Sequence, residues 1–366
     1  MIRRFLYLNG IATLCVVLFH ATGMGFVSMI DWAQRYGSYP GEQIGTAAYY
    51  GLRFVEQFVV FAIPAFLIVS GYFIGFATGK SQKTVSWKIV FSRIGYLVVP
   101  YLIWSAVILT LRYLEGRSYS PGHLLLMILI GNTNEVMYYV PLLVQLYLIS
   151  PILIRWAKTN WKQMLLITGI IQLIVTAIGY PTFLGIQTPT TQFIETLIPK
   201  WIFLARIFWF SLGIVLGYHP TEFKQTFYPM RWWLLGTALV LIPLGVIEWE
   251  QYFRLSGLEW LSSRETLLDL LYCIGLVLGV LAFEKARFPL FDKISSLGTK
   301  SFGIYLTHGI VIEYIARAIY RFQPNLLANQ FVLQPVLVLF GLGVPLLMIT
   351  VVDKSPFRRY YIYLFG

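Results

Sequence analysis

The stretch NGIATLCVVLFHATG, residues 9–23, runs apolar for about three helical turns and then presents a histidine, His20, with no acidic neighbour in sequence. A histidine at the end of such a run belongs either to a buried core or to the interior of a membrane. Arg3 and Arg4 precede the run, as they would in a signal peptide, yet no small-x-small cleavage site follows closely. The segment therefore reads as an uncleaved first transmembrane span.

The rest of the chain settles which interior is meant. Of 366 residues, 58% are hydrophobic, 17% aromatic and 12% charged, with a mean hydropathy of +0.70. A water-soluble domain carries about twice that share of charge. A bilayer core about 30 Å thick needs roughly 20 apolar residues per helix. Stretches of that kind recur near 6–28, 52–76, 94–111, 134–154, 163–179, 201–217, 232–247, 266–283, 301–320 and 331–351. Residues 121–131 form a shorter apolar piece, a half-helix or interfacial segment. The expected fold is an all-α polytopic membrane protein, a single bundle of about ten transmembrane helices over residues 1–366. No phosphate-binding glycine loop, long hydrophilic domain or clear internal repeat accompanies it.

The net charge of +12 follows from topology rather than from nucleic acid. With the amino terminus in the cytoplasm, Arg3, Arg4, Lys80, Lys83, Lys88, Arg93, Arg155, Lys158 and Lys162 share one side. Lys224, Arg231, Lys285, Arg287, Lys293, Lys300, Lys354, Arg358 and Arg359 join them, eighteen of the 28 basic residues. That asymmetry is the positive-inside pattern of an even number of spans with both termini cytoplasmic. Cys15 and Cys273 both fall within spans, which leaves no disulfide framework and no metal site.

An ionisable side chain within a span is costly and marks a functional candidate. His20 lies 11 residues after Asn9, so the two share a helix face, roughly 16 Å apart along the axis. A neutral imidazole there can accept a proton from a hydroxyl, or can serve packing through a hydrogen bond to a neighbouring span. Arg53 and Glu56, spaced i, i+3, are expected to pair with each other. Asp269, close to Arg264 and Glu265, is expected at an exposed rim. Arg206 lies within an expected span with no acidic neighbour in sequence, so its partner is tertiary, a bound anion or water reached by snorkelling. His308, Tyr305 and Glu313 follow one another along the ninth expected span. Trp32, Tyr36, Tyr39, Tyr49 and Tyr180, in or beside the expected outer loops, are rings that can stack on sugars.

Six stretches together resemble a known family: LNGIATLCVVLFH (8–20), FAIPAFLIVSGYFIGF (61–76), FSRIGYLVVPYLIW (91–104), YYVPLLVQLYLISPIL (138–153), FWFSLGIVLG (208–217) and SFGIYLTHG (301–309). In this order and spacing they are similar to the membrane-bound acyltransferase 3 family, bacterial ten-span proteins that O-acylate surface glycans. The resemblance covers about residues 5–350. It implies a first-span arginine, ten residues and a histidine that handle the acyl donor. His20 matches that histidine, whereas Asn9 stands where the arginine is usual. It also implies two basic residues, three apart, before a PYL segment. Arg93 matches the first and Tyr96 replaces the second. An amide brings hydrogen bonds but no charge. The departure leaves three readings: a donor site rebuilt with Lys83, Lys88 or Arg155, which is favoured; a different donor; or lost activity.

The resemblance implies an acyl-coenzyme A, acetyl by analogy, as co-substrate, with no bound cofactor. Its phosphates would dock at the rim near Lys88 and Arg93. His20 would act as general base on an acceptor hydroxyl, or as a transient nucleophile. Ser70 would hydrogen-bond the donor or an oxyanion, or permit close helix packing with Gly71. The acceptor would be a surface or exported glycan or glycolipid, and the setting the bacterial inner membrane. The competing class is a transporter or flippase in which His20, Arg206, His308 and Glu313 line a path.

Overall fold

A helix satisfies its own backbone hydrogen bonds within one segment, which is what long apolar stretches without water require. The computed structural model describes residues 2–366 apart from 38, 40–42, 80, 259, 262–264 and 284–287. Lys80, Arg264, Lys285 and Arg287, used in the charge and rim arguments above, lie outside the described residues. Fifteen α-helices and no strand are present among the described residues. They are α1 (Ile2–Met29), α2 (Ala47–Val59), α3 (Ala62–Thr78), α4 (Trp87–Leu114), α5 (Pro121–Ile130), α6 (Tyr139–Ile178), α7 (Tyr180–Phe183) and α8 (Pro189–Leu197). After these come α9 (Ile207–Tyr218), α10 (Pro220–Ser256), α11 (Leu267–Ala282), α12 (Phe291–Thr299), α13 (Ser301–Phe322), α14 (Gln330–Lys354) and α15 (Tyr361–Phe365).

Seven segments among the described residues are long and apolar enough to cross a bilayer: Ile2–Met29, Ala47–Thr78, Trp87–Leu114, Tyr139–Phe183, Pro220–Ser256, Ser301–Phe322 and Gln330–Lys354. Pro121–Ile130, Ile207–Tyr218 and Leu267–Ala282 are shorter apolar helices. Helix α6 is broken at Asn160, whose backbone leaves the helical region (φ −152°, ψ 76°). The Asn160 side chain accepts the backbone N–H of Gln163 at 3.1 Å, capping a new helix start as asparagine does well. The break falls among Arg155, Lys158 and Lys162, where a charged loop was expected.

The expected span 201–217 is corrected. A 3₁₀ turn at Phe203–Ala205 precedes α9, and Arg206 is the N-cap of that helix rather than a residue within it. Helix α9 has only 12 residues, and nine of them are buried.

The residues cluster into two compact units. The first comprises Met1–Leu8, Ile63–Gly95 and Tyr139–Phe291. Within it α3 and α9 cross at glycines. A Cβ on Gly71 would lie 2.1 Å from the Phe210 carbonyl oxygen, and one on Gly213 would lie 2.1 Å from that of Ile68. Gly75 and Gly217, four residues on, extend the close approach. Small residues four apart on both helices are how apolar helices approach closely where no hydrophobic effect drives them. The second unit comprises Asn9–Ala62, Tyr96–Tyr138 and Asp292–Gly366. There a Cβ on Gly10 would lie 1.9 Å from the Ile294 carbonyl oxygen, and one on Gly341 would strike Ile312 and Val17. These contacts bind α1, α12, α13 and α14 together.

Candidate functional site

His20 projects from the middle of α1, and its ring centroid lies 5.2 Å from that of His308 on α13, with the planes tilted by 53°. His20 is partly exposed, whereas His308 is fully buried. The His308 Nδ1 sits 2.8 Å from the Tyr305 carbonyl oxygen and 3.0 Å from that of Ile304. Carbonyl oxygens only accept, so Nδ1 carries the proton and Nε2 carries the lone pair. That Nε2 is buried and has no hydrogen-bond partner. The Tyr305 ring lies 6.2 Å from the His308 ring, and its hydroxyl donates to the Val136 carbonyl. Of the residues singled out in the sequence, the second unit thus gathers His20, Tyr305 and His308 at one place.

Asn9 is on the same helix and in the same unit. Its Nδ2 donates to the Gly298 carbonyl at 2.7 Å and lies 2.8 Å from the Ser301 hydroxyl. The amide therefore ties α1 to the start of α13, eleven residues before His20 meets the same helix.

Glu313 is engaged in an ion cluster. Arg112, buried at the end of α4, grips it with two hydrogen bonds of 2.6 Å, the bidentate geometry that guanidinium and carboxylate favour. Arg317 donates to both Glu313 and Glu115, and the Tyr314 hydroxyl donates to Glu115. That Tyr314 bond, with Arg317 and Arg112 adding to it, holds the Glu115 carboxyl below its ordinary range against the opposing effect of desolvation. Sequence reasoning missed Arg112, Arg317 and Glu115. The i, i+3 spacing of Arg112 and Glu115 and the i, i+4 spacing of Glu313 and Arg317 were the available signals; the pairing across 201 residues had none.

The remaining candidates lie in the first unit. Ser70 hydrogen-bonds the Tyr147 hydroxyl, and Arg93 acts on that hydroxyl electrostatically, so α3, α4 and α6 meet there. Lys88 is exposed. Arg206 pairs with Glu265, so of the alternatives open for it the partner is a tertiary one. Asp269 is corrected from rim-exposed to buried. Its carboxylate accepts the Thr266 backbone N–H at 3.0 Å in a capping box that starts α11. Arg53 and Glu56 pair at 2.7 Å, as their spacing implied.

Among the rings suggested for sugar stacking, Tyr49 is buried and Tyr36 donates to the Ser28 carbonyl. Tyr180 packs on Phe183 and Tyr252, and Trp32 lies against Tyr320. Tyr39 is the one with its ring largely in solvent.

An all-helical chain with seven segments apolar and long enough to cross a bilayer defines a class of multi-pass membrane proteins, and comparison with known sequences narrows it. A family model described as an acyltransferase domain, Acyl_transf_3, matches residues 5–352. The chain belongs to the acyltransferase 3 family. It is similar to proteins named probable poly-beta-1,6-N-acetyl-D-glucosamine export protein from Staphylococcus aureus strains MSSA476 and MRSA252. Each is 22% identical over 326 residues, covering 85% of this chain and 83% of the relative. No solved structure matches.

Proposed function

We propose that this protein is an integral-membrane O-acyltransferase, one that moves an acyl group, acetyl by family analogy, from cytoplasmic acyl-coenzyme A to a hydroxyl of a surface or exported glycan or glycolipid. The observation that carries the reading is the position of His20: a partly exposed imidazole in the middle of α1, facing the buried His308. A neutral imidazole there can take the acceptor's proton as the hydroxyl attacks the thioester carbonyl. By the family resemblance, the basic side chains Lys83, Lys88, Arg93 and Arg155 are the groups that would receive the donor's phosphates.

Ten crossings with both termini in the cytoplasm of a bacterial inner membrane fit this chemistry, because acyl-coenzyme A is made in the cytoplasm. Ten crossings would require each half of α6, on either side of Asn160, to cross on its own and the short apolar helices α9 and α11 to cross as well, in addition to the other long segments. The word "export" in the relatives' names favours a second reading, a glycan transporter whose path His20 and His308 line. Release of free thiol from acetyl-coenzyme A by purified protein, with N-acetylglucosamine oligomers as acceptor, separates the two. The enzyme releases thiol and His20→Ala lowers the rate roughly 10²–10⁴-fold. A protein that moves the oligomers across a vesicle membrane without consuming the thioester is the transporter.

A further inference from the structure

We infer that His308 is the relay partner of His20: its Nε2 lone pair, buried beside the His20 ring, accepts the second N–H of His20 and shares the charge that His20 gains with the acceptor's proton. This rests on the acyl-transfer reading and assigns a second residue to that same site.

The two imidazoles are not equivalent. His308 is fully buried and cannot touch a substrate, whereas His20 is partly exposed and can. A base that becomes an imidazolium inside an apolar bundle needs a partner to orient it and to share its charge, the part a buried carboxylate plays in hydrolase triads. Among the described residues no carboxylate or cation bonds to His308. The groups that face it are the His20 imidazole and the Tyr305 ring, whose hydroxyl is committed to the Val136 carbonyl. The backbone supplies the tautomer: Ile304 and Tyr305 carbonyls hold the proton on Nδ1, leaving Nε2 as an acceptor with no partner. With the ring centroids 5.2 Å apart, the two imidazoles are near enough for a nitrogen of one to come within hydrogen-bond distance of the other.

The step balances without a further reactant. As the acceptor O–H bond breaks, an N–H bond forms on His20, and the oxygen attacks the thioester carbonyl. The ester C–O bond forms, the C–S bond breaks, and the leaving thiolate takes the proton to become free thiol. Between the two transfers the proton stays on the His20 nitrogen that faces the substrate, while the N–H on the imidazolium's other nitrogen donates to His308 Nε2 and shares the charge. His308 is thus a positioning and relay residue, with His20 the group that meets the acceptor.

The test uses full-length protein in lipid nanodiscs with ¹⁵N-labelled histidine, only four of which the chain contains. The expected spectrum shows His308 with its proton on Nδ1, and a His20 titration that moves by half a pH unit or more in His308→Asn. Asparagine keeps a donor toward the Ile304 and Tyr305 carbonyls and removes Nε2. With acetyl-coenzyme A and N-acetylglucosamine oligomers, His308→Asn should lower kcat roughly 10- to 100-fold with KM within threefold, and should displace the pH–rate profile. Tyr305→Phe, which breaks the neighbouring buried bond and spares both imidazoles, should leave the His20 titration in place. A His308 proton on Nε2, or a His20 titration unmoved in His308→Asn, overturns the relay even in an active enzyme. Coupled titrations in a protein that consumes no thioester overturn the acyl-transfer reading instead, and the catalytic relay with it.

Discussion

At Asn9 the side-chain amide nitrogen is already engaged, by the Gly298 carbonyl and the Ser301 hydroxyl, so the residue that replaces the family's arginine acts first as a tie between α1 and α13. Each such bond is worth about 1 kcal/mol net. Asn9→Ala should therefore destabilise the protein by roughly 1–2 kcal/mol, read as a lowered melting temperature in detergent; a melt identical to the unmodified protein would contradict the tie. The face shared by Asn9 and His20 was legible from the 11-residue spacing, because helical geometry alone fixes it. That both residues meet α13 was not, since nothing in the local sequence of α1 names its partner.

Between elements, two kinds of contact are decisive. The crossing of α3 and α9 depends on the absence of side chains: with Phe210 and Ile68 carbonyls 2.1 Å from where Cβ atoms would sit, Gly71→Val or Gly213→Val must push backbone against backbone. Loss of the folded, monodisperse species on size-exclusion chromatography is the expected result for either, and a normal profile and melt would show that the crossing tolerates separation. The other contact is the Arg112–Glu313 clasp with Glu115 and Arg317. Removing one partner of a buried pair leaves an uncompensated charge, so Arg112→Ala should cost about 3–5 kcal/mol, and the Arg112→Ala/Glu313→Ala double variant less than the single. A double-mutant cycle showing additive costs would refute the coupling. Glu115 sets the sign with pH: its folded-state pKa lies below the ordinary value, so its contribution is present above the ordinary carboxylate range. That contribution is lost as pH falls through the depressed value. Thermal melts of Glu115→Gln should accordingly be less acid-sensitive than those of the unmodified protein.

For the whole molecule, the distribution of Lys and Arg carries the topology argument. Reporter fusions should place the 30–46 loop outside and the segments near residues 85 and 160 inside. The opposite pattern would move Arg93, proposed to meet the donor, to the wrong face and remove the basis for a cytoplasmic acyl donor.

The sequence by itself determined the membrane setting, the helical class and the family, and singled out His20 as a candidate, because hydropathy, charge asymmetry and short motifs are properties of contiguous residues. It also showed that Arg206 needed a partner, but not that the partner was Glu265. Tertiary structure decided that His308 faces His20, that Asn9 is tied to Gly298 and Ser301, and that Glu313 belongs to an ion cluster rather than to the imidazole pair. It also buried Asp269 and moved Arg206 to the head of a short helix. These are contacts across some 60 to 290 residues, and an apolar helix presents much the same face to lipid as to a neighbouring helix. Which polar groups meet is therefore set by packing, not by local sequence.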